Sequence, residues 1–276
     1  MRSLILSSTA GDKRAGREAG RARQGGAGPW VAGIRNNLAG LGLLLAAWFI
    51  LAGLYPPYVI PSPLTALGAA PDLLAPAWQP HLLPTLQRVL AGFALAFAGG
   101  IALGIGGYVL RLAEHFNGLM VGLQAIPGTV LGIILLLVLG VGNGVPVALV
   151  ALLTLPTVAI NTANALRKRD LGLEQYLRAN GAGRRELIRF LYLPVLIPTL
   201  QNNLSLGFGL ALKVIVLGEY IGSQNGLGYL LNVATVRFDM QAALVYLSFI
   251  LVVTALFEIA QNLVFRVFLR KYFYGS

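Results

Sequence analysis

The sequence contains no cysteine, which excludes a disulfide framework and any thiolate metal site. Its two histidines, His81 and His115, stand alone without metal-ligating spacing, so each reads as a structural or surface residue. Charge is scarce, at 11% of residues, where a soluble domain carries about a quarter. There is no Gly-x-x-x-x-Gly-Lys phosphate loop followed by Ser or Thr, so this chain is not expected to hydrolyse ATP. Its serines lie apart from both histidines, which leaves no nucleophile–base pair and no expectation of catalysis within the chain.

Apolar residues fill the space, at 57% of the chain. Six stretches, at 38–55, 89–110, 117–140, 145–166, 195–218 and 241–264, come close to the ~20 residues that a membrane-crossing helix needs. A helix satisfies its own backbone polar groups, so these stretches predict an all-α polytopic membrane protein of about six transmembrane helices. A β-barrel would alternate polar and apolar residues, and the run Ile133 to Leu139 has no such alternation.

The net charge of +11 raises the possibility of a nucleic-acid partner, but the distribution of charge favours topology instead. With six spans and an inside N-terminus, 18 of the 21 Lys and Arg fall on the cytoplasmic side. They sit in 1–37, at Arg111, in 167–189 and in 266–271, leaving Arg88, Lys213 and Arg237. The opposite orientation breaks the positive-inside rule. The expected division is a basic disordered tail over 1–36, a transmembrane domain over 37–270 with a cytoplasmic loop at 167–193, and a short tail over 271–276. The tail does not read as a secretory signal, because a polar basic stretch separates Met1 from the first long apolar run.

Eight of the 14 prolines lie between Pro56 and Pro84, which predicts an outside connector with short interfacial pieces near Leu64–Leu74. Trp48 and Trp78 suit the headgroup belts. Gly92, Gly99, Gly100, Gly104, Gly106 and Gly107 suit close helix packing. Gln124-Ala125-Ile126-Pro127-Gly128 predicts a kink or local unwinding in the third span.

The loop from Arg167 to Pro198 predicts two short helices, 171–179 and 184–192, separated by Asn180-Gly181-Ala182-Gly183. Leu187, Ile188 and Leu191 form an apolar stripe, while Arg184, Arg185 and Arg189 present charge. Such a hairpin suits a groove on a soluble partner, or else rests on anionic lipid.

Gly181-Ala182 followed by Leu193-Pro194, with the proline thirteen residues after the glycine, resembles the EAA loop of ABC-importer permeases. Further motifs appear in the same order as in the nitrate/sulfonate/taurine-type permeases. Ile60-Pro61-Ser62-Pro63 resembles the opening outside motif, and His81, Thr85, Arg88 and Gly92 resemble the start of span two. Glu219 with Gly226-Leu227-Gly228-Tyr229 resembles the segment after span five. The likeness covers residues 55–270. One departure stands out: Gln175-Tyr176-Leu177 occupies the usual Glu-Ala-Ala positions, with Glu174 one place early.

The resemblance implies a multi-pass permease subunit of a bacterial cytoplasmic (inner) membrane, with both termini inside. It implies a second copy or paralogous permease, two ABC ATPase subunits that bind ATP and Mg, and an outside solute-binding protein. The ATPase-coupling loop would comprise Glu174, Gln175, Tyr176, Leu177, Arg178, Ala179, Gly181, Ala182, Arg184, Arg185, Leu193 and Pro194. The solute would be a small oxyanion or sulfonate, or a vitamin precursor.

Charged and polar residues at membrane depth are candidates for the translocation pathway. Lys213 faces a pathway and attracts an anion, pairs with another helix, or snorkels. It lies six residues before Glu219, about 120° around a helix, so the two are not expected to pair. Asn202 and Asn203 line the same pathway or bond a neighbouring helix. Gln124 and Pro127 mark a break that lines a cavity or is an inert kink, and Glu258 reaches the inner interface. A self-sufficient ion-coupled carrier is the alternative; such carriers often show internal repeats, and none is visible.

Overall fold

The computed structural model describes residues 29–75 and 78–273. The expected tail thus lies outside the described residues up to residue 28, as do residues 274–276 and the side chain of Trp78. The described residues form helices without a strand: α1 (Pro29–Leu54), α2 (Pro63–Leu74), α3 (Trp78–Val109), α4 (Ala113–Gln124), α5 (Gly128–Leu139), α6 (Gly144–Arg167), α7 (Leu171–Ala179), α8 (Arg184–Leu187), a π turn (Ile188–Tyr192), α9 (Leu193–Gly222), α10 (Leu227–Val236) and α11 (Met240–Phe273).

Two units divide the chain, residues 1–63 and 64–276. The first contains α1, which begins at Pro29, inside the stretch assigned to the tail. Within this unit the Trp48 indole donates to the Pro61 carbonyl at 3.0 Å.

Four helices among the described residues are long and apolar enough to cross a membrane: Pro80–Val109, Gly144–Arg167, Arg184–Gly222 and Met240–Gln261. The pair Glu114–Gln124 and Gly128–Leu139, bent by 86°, makes a fifth if taken as one span. Four or five of the six expected spans are thus present among the described residues, and the other, 38–55, falls on α1. The part of α1 with described side chains, Gly40–Leu54, falls short of a crossing length.

The bend lies where Pro127 follows Gln124-Ala125-Ile126. Proline pushes its predecessor out of the α region, and α5 restarts with Pro127 as its N-cap. Prolines do not always break helices here: α3 runs through Pro84, although proline cannot donate to the Pro80 carbonyl one turn before it.

In the second unit α3 and α6 pack along their length in parallel. A Cβ on Gly92 would come within 2.8 Å of Val150, one on Gly100 within 2.6 Å of Val158, and one on Gly104 within 2.7 Å of Thr162. Each pair is offset by the same sequence interval, which defines two helices running the same way. The small residues Gly92, Ala96, Gly100 and Gly104 recur every four positions, so their backbones approach closely, as packing in lipid demands. The bent α4–α5 pair makes the return between them. Helix α9 runs antiparallel to α6, with Gly207 against Thr154, Gly218 against Pro146 and Gly222 against Val145. Phe93, Leu149, Val150, Leu212 and Ile215 fill the centre of these three helices.

The expected second loop helix, 184–192, is not a separate element. Helix α8 passes through the π turn, where the Leu193 N–H bonds the Ile188 carbonyl, and continues into α9. Pro194 lacks an N–H, and its ring would crowd the carbonyl one turn back. The widened turn absorbs that misfit, so Leu193-Pro194 lies inside a 39-residue helix, Arg184–Gly222.

Candidate functional site

Two polar assemblies stand at opposite ends of α3. Arg88 and Tyr108 mark them, twenty residues and therefore ~30 Å apart along the helix.

At the first end Arg88 and Glu219, 5% and 0% exposed, form an ion pair of 2.7 Å. The Glu219 carboxylate also accepts from the Thr85 hydroxyl at 2.9 Å and the Gly228 N–H at 3.0 Å. Arg88 donates from Nε to Asn143 Oδ1 at 2.9 Å and from Nη1 to the Asn225 carbonyl at 2.9 Å; Nη2 also donates to the Asn225 side chain. The Gly226 N–H donates to His81 Nδ1 at 3.0 Å, and the Leu227 N–H to Thr85 Oγ1 at 3.0 Å. The cluster thus ties the start of α3, the loop before α6, the end of α9 and the turn into α10.

The local sequence makes this possible. Gly226 has φ +108, and a Cβ there would collide with the Glu219 carboxylate. A Cβ on Gly228 would lie 2.8 Å from Glu219 Cβ. Glycine at 226 and 228 therefore lets the backbone close over the carboxylate. Asn143 and Asn225 escaped sequence reasoning. Their only local signal is an Asn beside Gly in a short polar link between apolar helices.

At the other end stands the predicted loop. Helix α7 is capped by Asp170, whose carboxylate accepts from the Leu173 N–H at 3.0 Å. It closes with the Gly181 N–H on the Arg178 carbonyl and the Ala182 N–H on the Leu177 carbonyl. That double bond pattern, with Gly181 at φ +79, is a Schellman motif.

Glu174 is buried and accepts from Arg169 Nε at 2.7 Å and Arg178 Nη2 at 2.9 Å. Arg178 first and Arg169 second hold its carboxyl below the usual carboxylate value. The Arg169 guanidinium lies over the Tyr108 ring, 5.4 Å from its centroid, and Tyr108 meets Tyr192 edge to face at 6.2 Å. The hairpin is therefore braced against the end of α3 and the π turn. Leu187 and Leu191 are buried as the apolar stripe predicts, but Ile188 is exposed, as are Leu171, Gln175, Tyr176 and Phe190. Arg178, Arg184, Arg185, Leu193 and Pro194 are exposed too, and Leu177 and Ala182 are half-buried.

The remaining sequence candidates are dispersed. Gln124 is exposed at the bend and donates to Thr157 Oγ1 at 3.0 Å, and Pro127 is exposed beside it. Asn202 is exposed. Asn203 is buried and bonds between helices: it accepts from Asn161 Nδ2 at 2.8 Å and donates to the Val158 carbonyl at 3.4 Å. Lys213 and Glu219 do not meet. Lys213 is paired instead with Glu258, Nζ to Oε1 3.6 Å. Glu258 thus has a partner on α9 and does not simply reach the interface.

The family described as binding-protein-dependent transport system inner membrane component matches residues 96–270. The chain is 31% identical over 234 residues to the riboflavin transport system permease protein RibX of Chloroflexus aurantiacus, covering 83% of this chain and 87% of that protein. It is 26% identical over 193 residues to the putative aliphatic sulfonates transport permease protein SsuC of Bacillus subtilis, covering 68% and 70%. A chain of the MetNI methionine ABC transporter in an inward-facing conformation shares the fold, with a TM-score of 0.58 at 19% identity, covering 71% of this chain and 95% of that one. The chain belongs to the family of binding-protein-dependent transport system inner membrane components, as an ABC-transporter permease.

Proposed function

We propose that this chain is the translocation subunit of an ATP-driven importer, working as a pair, and that it passes a small polar solute from an outside binding protein to the cytoplasm. Separate ATPase subunits hold ATP and Mg and dock on the hairpin of α7, α8 and the π turn. The hairpin end faces the cytoplasm of a bacterial inner membrane, as the basic residues of 167–189 favour, and both termini lie on that side. The cluster of Arg88 and Glu219 then lies at the outer end.

The observation that carries this reading is the hairpin's construction. Tyr176, Ile188 and Phe190, 67%, 55% and 54% exposed, stand among the exposed arginines 178, 184 and 185. Exposed apolar side chains rimmed by charge suit a protein partner. Behind them, Glu174 and Tyr108 fix the hairpin to the bundle, and α8 continues into α9, so a push at the hairpin moves a membrane helix as one body. The departure at Gln175-Tyr176-Leu177 leaves this intact, because Glu174 points inward as a brace while Gln175 and Tyr176 face out. The relatives' names span a vitamin and sulfonates, and the solute is read within that range.

Co-purification tests it. An affinity-tagged chain extracted in mild detergent should bring down an ATPase. The variants Tyr176→Asp and Phe190→Asp should lose it while still inserting in the membrane. Full retention of the ATPase by both variants would remove the hairpin from the docking surface.

A further inference from the structure

The groove between α9 and α11 is where the structure says most about the solute. It measures about 380 Å³ and is lined by Ser205, Gly209 and Lys213 of α9 and by Glu258 and Gln261 of α11, with Leu206 and Leu210. Lys213 and Glu258 are 68% and 42% exposed, so the pair opens into the groove rather than into the bundle. Lys213 lies nine residues, ~14 Å of helix rise, from the end of α9 at Gly222, and so at membrane depth. Two exposed charges at that depth are poorly compatible with lipid and belong to a wet cavity.

We infer that this groove is a water-filled solute subsite, neutralised from within, which takes a net-neutral polar solute rather than a simple anion. The inference rests on the translocation reading above and narrows its solute. Nζ and Oε1 are 3.6 Å apart, beyond a good hydrogen bond, so the two charges compensate without saturating each other. The ammonium keeps donors free and the carboxylate keeps acceptor positions free. A solute carrying an acceptor beside a donor, such as a zwitterion or a heterocycle with adjacent C=O and N–H, satisfies both. An anion gains Lys213 but meets Glu258 at nearly the same distance. The floor is shaped for occupancy: Gln261 is held by donating Nε2 to the Leu204 carbonyl at 2.9 Å, and Gly209 adds no side chain beside Glu258. The contrast with Arg88 is instructive, since that guanidinium is buried and fully bonded and offers nothing to a solute.

The absence of cysteine supplies the test. Ser205→Cys, with Gly209→Cys as a second variant, is introduced in the full chain, assembled with its partners in native membranes. Labelling is followed with a cationic and an anionic methanethiosulfonate, each rate divided by that reagent's rate on a free thiol. The expected result is labelling by both reagents with normalised rates within about fivefold, and a shift of at least about fivefold towards the anionic reagent once Glu258→Gln uncovers Lys213. The inference is overturned if neither cysteine labels while Gly183→Cys in the hairpin does, if the native groove prefers either charge by more than about fivefold, or if Glu258→Gln moves nothing. Labelling does not depend on the hairpin, so failure of the tagged chain to bring down an ATPase, or its full retention by both hairpin variants, would defeat the functional reading and leave this readout unchanged.

Discussion

Arg88 and Glu219 stand 131 positions apart in the chain and meet at 2.7 Å with almost no exposure. Each is saturated by other groups, so the pair is the centre of a knot that fixes α3, α9 and the turn into α10. Removing one partner leaves a buried charge uncompensated, which costs about 3–5 kcal/mol, whereas replacing both with apolar residues is often neutral. Arg88→Met and Glu219→Met should each lower the thermal midpoint of the detergent-solubilised chain sharply. The double variant should recover most of the loss, as read by intrinsic-fluorescence unfolding. A double variant no better than the singles would show that the pair does not act as a unit.

The contact between α3 and α6 predicts opposite outcomes for two neighbouring glycines. A Cβ on Gly104 meets Thr162 at 2.7 Å, while one on Gly106 meets nothing. Gly104→Ala should destabilise by about 1–3 kcal/mol through overpacking. Gly106→Ala should be neutral or stabilise by up to about 1 kcal/mol through lost backbone freedom in the unfolded chain. The same unfolding measurement checks both.

The Glu174 brace makes the hairpin sensitive to acid. Its carboxyl titrates below the ordinary value, so its contribution is fully present above that value and is lost as pH falls through the lowered one. Hydrogen exchange over 171–179 should be slow at neutral pH and accelerate on acidification below about pH 4.5, beyond the intrinsic pH trend. In Glu174→Gln protection should be lower at neutral pH and show no such transition. An unchanged profile in that variant would release Glu174 from the bracing role.

Much of this was legible in the sequence where a local signal existed. Gly181 closes α7 as the sequence reading expects, because a left-handed glycine is written in a single residue, whereas the Asp170 cap that opens the helix escapes that reading. Pro127 announces the bend for the same reason. The resemblance located His81, Thr85, Arg88, Glu219 and the glycines around Leu227, but not that they form one cluster, because their contacts span more than 130 positions. Lys213 and Glu258 are hidden likewise: helical periodicity separates Lys213 from Glu219 but cannot name a partner on another helix. Pro194 misled, since a proline that reads as a stop is absorbed by a π turn into a continuous helix. Hydropathy shows the third stretch as one apolar run but cannot show that it turns by 86° at Pro127.

The account stands or falls on whether the hairpin couples the ATPase to the membrane helices, and Gly181→Pro tests that most directly. Gly181 holds φ +79, and proline is fixed near −65°, so the substitution must undo the turn between α7 and α8 while leaving the spans untouched. The measurement is ATP hydrolysis by the reconstituted complex with and without solute-loaded binding protein. The account predicts that the variant inserts and assembles with its second copy but loses the stimulated hydrolysis and transport. Normal stimulation by Gly181→Pro would contradict it.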